Sequence, residues 1–167
     1  WVVYGLLVFA AGALTVARNA DYASAHALWA DTVAKRPVNS RAHHNLGLAE
    51  FAHGNLVEAG RLVGHAIRLA PESSEPHYSL GLILTRQGRL PEAIASYERA
   101  IVQAPEHAAA HNNLGNVLFA AGRIDGAGRH YAEAVRLEPE FAGARNSYGN
   151  WLLETGRPAE ALAQCEE

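Results

Sequence analysis

The feature that most constrains this chain is that it repeats itself. Four segments align without a gap at a period of 34 residues: SRAHHNLGLAEFAHGNLVEAGRLVGHAIRLAPES from Ser40, SEPHYSLGLILTRQGRLPEAIASYERAIVQAPEH from Ser74, AAAHNNLGNVLFAAGRIDGAGRHYAEAVRLEPEF from Ala108, and AGARNSYGNWLLETGRPAEALAQCEE from Ala142. Such a period restricts the fold to an array of small supersecondary units, each burying its apolar face against its neighbours. Counted within a unit, position 8 is Gly47, Gly81, Gly115 and Gly149, and position 20 is Ala59, Ala93, Ala127 and Ala161. Position 27 is Ala66, Ala100 and Ala134, and position 32 is Pro71, Pro105 and Pro139.

Apolar residues recur inside each unit at helical spacing, as in Leu80, Ile83 and Leu84, then Leu90, Ala93, Ile94 and Tyr97. Small residues at positions 8, 20 and 27 let two helices of a unit approach where a leucine would hold them apart. Position 15 is Gly54, Gly88, Gly122 and Gly156, which suits a left-handed residue ending a first helix. Pro91 suits the opening turn of a second helix, and Pro71, Pro105 and Pro139 stop the second helices. The period with these small residues resembles the tetratricopeptide repeat. That resemblance implies an all-α helix-turn-helix solenoid, wound as a right-handed superhelix, with units at residues 40–73, 74–107, 108–141 and a shortened 142–167.

Residues 1–17, WVVYGLLVFAAGALTVA, carry no charge until Arg18. As a helix they would rise about 25 Å, just short of a hydrocarbon core of roughly 30 Å. A signal peptide would need a basic start, and a buried soluble helix rarely runs so long without a polar residue. The segment therefore reads as a transmembrane helix cut at its start, with Trp1 and Tyr4 as interfacial aromatics. Residues 18–39 read as a junction with half a repeat, since Ala25, Trp29 and Pro37 fall at positions 20, 24 and 32 of the frame shifted back by one unit. The chain has no Met, so it reads as a processed product or a piece, and its last unit stops inside a second helix. An uncapped C-terminal face predicts continuation or association there.

Little points to catalysis. There is no HExxH, no phosphate-binding glycine loop and no nucleophile elbow. No catalytic residue, cofactor or metal site is expected. A net charge of −3 argues against nucleic acid as a partner. The lone Cys165 excludes a disulfide framework and sits at the packing position of Tyr97 and Tyr131. Glu58, Glu92 and Glu160 share position 19 but stand a whole repeat apart, and they read as a solvated or intra-repeat polar column. Of nine histidines, His43, His77 and His111 share position 4 and read as half-buried flat rings; His107 and His111 have helical metal-pair spacing but no third ligand. Glu50 stands where other units have Leu84, Leu118 and Leu152, so it must be exposed or paired. Gly60, Gly64, Gly126 and Gly128 fall inside second helices, implying either close approach by a neighbour or a flexible array.

In the resembled family, positions 2, 5, 6, 9, 12 and 13 line a concave groove that binds a protein or peptide. Carried onto this chain, the partner-binding residues are His44, Asn45, Phe51, Tyr78, Arg86, Asn112, Asn113, Asn116, Phe119, Asn146 and Asn150. An Asn amide both donates and accepts, so a row of them suits an extended backbone. The row is similar to the asparagine-lined groove of the O-GlcNAc transferase repeats. The carboxylate clamp of chaperone-binding repeats is set aside, because the one lysine, Lys35, lies outside the full units. Residues 17–46 also resemble the junction of transmembrane tetratricopeptide proteins related to protein O-mannosyltransferases. Two functions follow as expectations. One is a membrane-anchored, non-catalytic scaffold that binds a partner or assembles a membrane complex; the other is the C-terminal substrate-binding domain of such a glycosyltransferase. The junction resemblance implies that the repeats lie on the non-cytosolic side.

Overall fold

The computed structural model describes residues 25–166, apart from the side chains of Ala163, Cys165 and Glu166. The expected membrane helix at residues 1–17 and the packing role of Cys165 lie outside that description. Among the described residues no helix is long and apolar enough to cross a membrane.

Among the described residues every element is a helix: α1 at residues 25–35, α2 Ser40–Ala52, α3 Leu56–Leu69, α4 Ser74–Arg86, α5 Leu90–Gln103, α6 Ala108–Ala120, α7 Ile124–Leu137, α8 Ala142–Glu154 and α9 Pro158–Glu166. Each first helix ends the same way. Gly54, Gly88, Gly122 and Gly156 are left-handed, at φ +84°, +73°, +75° and +77°. At α4, the Gly88 and Arg89 amides donate to the Thr85 and Leu84 carbonyls, a closing pair repeated at Gly54, Gly122 and Gly156. These bonds satisfy carbonyls that the helix leaves orphaned. Pro91 lies in the first turn of α5, where its missing N–H costs nothing. The second helices stop two residues before Pro71, Pro105 and Pro139.

The chain divides into two compact units, one ending at Leu69 and one beginning at Ala70. In the first, α2 pairs with α3. Ala42, Leu46 and Ala49 are buried with Ala59, Leu62, Val63 and Ala66. A Cβ at Gly47 would stand 2.7 Å from a Val63 methyl, so glycine is what permits this crossing. Glu50 is 13% exposed, and its two oxygens take His26 Nε2 at 2.8 Å and the Asn55 amide at 2.6 Å. The paired alternative holds for this carboxylate. The Asn55 bond, then His26, draws its pKa below the ordinary value despite burial.

In the second unit α4 pairs with α5, α6 with α7 and α8 with α9, while α5 meets α6 and α7 meets α8. Its core joins Leu84, Ala93, Ile94 and Tyr97 to Leu114, Val117, Leu118, Ala127 and Tyr131. A Cβ at Gly81 would lie 2.5 Å from the Tyr97 ring, and one at Gly115 would lie 2.7 Å from Tyr131. Burial pushes both phenols up to about 12. Glycine and tyrosine are thus complementary halves of one contact, made twice.

Candidate functional site

The first helices α4, α6 and α8 lie side by side: α6 contacts α8 and is tied to α4, because the Asn113 amide donates to the Tyr78 hydroxyl at 3.1 Å. Between α6, α7 and α8 this face opens into a pocket of about 220 Å³ lined by Asn116, Phe119, Tyr131, Ser147, Asn150, Trp151 and Glu154. Its back wall is built by an insertion. Trp151 lies so close to α7 that a Cβ at Gly128 would meet its ring at 2.2 Å, and its indole N–H donates to the Ile124 carbonyl at 2.9 Å. Gly128 is therefore explained by close approach, the first of the two readings its mid-helix place allowed. Tyr148 stacks on Trp151 at 5.8 Å between centroids.

Asn113, Asn116, Phe119 and Asn150 are brought together on this face. Asn113 and Asn116 are not wholly free for a partner: Asn113 spends a donor on Tyr78, and Asn116 Oδ1 accepts from the Tyr131 hydroxyl at 3.0 Å. Each keeps the rest of its amide. Arg86 and Asn146 are exposed, and Tyr78 is half-buried under its rings with Tyr97 and His107. Asn112 departs from expectation. It is 7% exposed, and its Oδ1 has no hydrogen-bond partner among the described residues. Its helix packs against α5, α7 and α8, and Asn146 at the same position of α8 is exposed. His44, Asn45 and Phe51 are half-buried on α2 in the other unit. Trp151 and Tyr131 are the site residues that groove positions missed. The hint was available: Trp151 occupies position 10, where other units have Ala49, Ile83 and Val117, and Gly128 sits mid-helix.

The position-4 histidines have one shared role. Nε2 of His43, His77 and His111 meets the carbonyl oxygen of Pro37, Pro71 and Pro105 at 2.8, 3.0 and 3.0 Å, each six residues earlier. A carbonyl only accepts, so Nε2 carries the proton in each. His43 and His111 are buried rather than half-buried; the carbonyl bond satisfies Nε2 in each, while Nδ1 of His43 has no hydrogen-bond partner among the described residues. His111 Nδ1 then accepts from Nδ1 of His130 at 3.1 Å. Burial, followed by the charges of His111 and Arg129, lowers the His130 pKa. His107 does not pair with His111: its Nδ1 caps α6 by accepting from the Ala110 amide at 3.3 Å, and its ring lies on Tyr78. Glu58, Glu92 and Glu160 pair with Arg61, Arg89 and Arg157 of their own units.

The profile of the tetratricopeptide repeat matches residues 11–74, 61–108, 78–137 and 112–167, together nearly the whole chain. The chain belongs to the tetratricopeptide repeat family. Solved structures agree in fold. The crystal structure of MamA superposes with a TM-score of 0.78 at 24% identity, over 88% of this chain and 86% of that one. YrrB, described as a TPR protein with an unusual peptide-binding site, gives 0.70 at 19% identity, over 90% and 77%. PilF of Pseudomonas aeruginosa gives 0.68 at 25% identity, over 75% of this chain and 57% of that one. No curated protein matches the chain. At these identities the likeness is one of fold.

Proposed function

We propose that this tetratricopeptide chain is a non-catalytic scaffold that holds an extended segment of a partner protein along α4, α6 and α8. The observation that carries this is the face itself, where the amides of Asn113 and Asn116, each oriented by a tyrosine hydroxyl, and that of Asn150 adjoin an aromatic pocket. Amides that donate and accept suit a peptide backbone, and a pocket suits one of its side chains. The peptide-binding site named for YrrB supports the class of ligand. In the test, partner captured by the tagged chain falls sharply on Asn113→Ala with Asn116→Ala, while circular dichroism keeps its helical signal. Undiminished capture moves the site off this face.

The uncharged run at residues 1–17 supports attachment to a membrane, and the junction resemblance supports placing the repeats on the non-cytosolic side. The chain should stay in the membrane fraction through carbonate and high-salt washes; release by either removes the anchor. The junction at residues 17–46 supports a second reading, in which these repeats are the substrate-binding end of a membrane glycosyltransferase. The intact mass of the native polypeptide separates the two, since that parent carries many further apolar segments.

A further inference from the structure

We propose that the pocket between α6, α7 and α8 accepts the side chain of an arginine in the partner segment; this rests on the groove reading above and deepens it. Three aromatic rings, Phe119, Tyr131 and Trp151, line a space of about 220 Å³. That is smaller than small-molecule pockets, which start at roughly 300 Å³, and it suits one long side chain. Glu154 is the only charged residue of the lining, and it makes no ion pair among the described residues.

The hydrogen-bonding character of the walls points the same way. The Tyr131 hydroxyl gives its proton to Asn116, the Ser147 hydroxyl gives its own to the Gly143 carbonyl at 2.9 Å, and the Trp151 N–H is held by Ile124. Three donors are thus committed inward, leaving lone pairs on Tyr131 and Ser147 and the Glu154 carboxylate, beside the Asn116 and Asn150 amides, which can accept as well as donate. A lining rich in acceptors, aromatic faces and one negative charge selects a planar cation with many N–H groups. The Trp151 ring already takes a guanidinium on a face, with Arg157 Cζ 5.4 Å from its centroid. Arg157 does not cancel Glu154, because both its Nε and Nη2 are held by Glu160 at 2.7 and 2.6 Å.

The test uses the full chain and a random dodecapeptide display library. Selected peptides should share one arginine, and replacing it with citrulline, a neutral isostere, should weaken binding about tenfold. Glu154→Gln, at an exposed position, should bring the arginine and citrulline peptides to nearly equal affinity. Peptides that bind through Asn113, lost on Asn113→Ala, but carry no basic position and ignore Glu154→Gln would overturn the arginine assignment and leave the groove standing. Selection of peptides indifferent to Asn113→Ala would overturn the groove and the arginine assignment together.

Discussion

Glu50 shows how one residue that breaks a repeat is accommodated. A carboxylate in a leucine position survives because His26 and Asn55 each bind one oxygen. Its folded pKa lies below the ordinary 4.5. The stabilising contribution is therefore complete above that value and lost as pH falls through the lowered one. Glu50→Gln should flatten the acid limb of a urea-midpoint-against-pH curve below about pH 5; an unchanged limb would detach Glu50 from acid stability. His111 makes a comparable case in neutral chemistry. His111→Phe leaves the Pro105 carbonyl and His130 without their partner, and should destabilise by about 1–3 kcal/mol. His77→Phe should cost less, since that ring is half-exposed. Equal losses would mean that the carbonyl bond is not what matters.

Between elements, the repeat depends on glycine meeting a ring. Gly81→Ala would set a methyl 2.5 Å from Tyr97, and the ring cannot retreat from a core in which it is 1% exposed. The loss should be about 1–3 kcal/mol, recovered in part by Tyr97→Leu, as read from urea unfolding. Gly128→Ala tests a different crossing, α7 on α8. The added methyl must push Trp151 away from Ile124, which should destabilise the unit and also reshape the pocket. Peptide affinity should then fall together with stability. The arginine pairs with Glu58, Glu92, Glu133 and Glu160 are on the surface, each between residues three apart, and bridge no two helices, so they contribute little to these crossings.

Across the unit that begins at Ala70, the two ring contacts titrate as parts of one core. Tyr97 and Tyr131 are held near 12 by burial, with the charge of Glu154 adding to the effect on Tyr131. Their neutral forms stabilise the fold in full below pH 10, and that contribution is lost as pH rises through about 12. Alkaline unfolding should thus be steep over that interval and shallower in Tyr97→Phe; an ultraviolet titration showing both phenols ionising near 10 would refute it.

The sequence by itself determined the array: the period, the helix pairs, the left-handed stop at Gly88 and its equivalents, and the need for Glu50 to be exposed or paired. The period, helix pairs and stops are legible because turn chemistry and apolar spacing act within one unit, over a few residues; for Glu50 the sequence left exposure or pairing open, and the fold supplied His26 and Asn55. Tertiary structure alone decided which groove residues are available. Asn112 and Asn146 are the same residue at the same position, yet one is buried and the other exposed. It also decided that Trp151 builds a pocket, since its ring needs the space left by Gly128, 23 residues away in the chain. Position in a repeat predicts which way a side chain leaves its helix; what it meets there is set by the neighbouring unit.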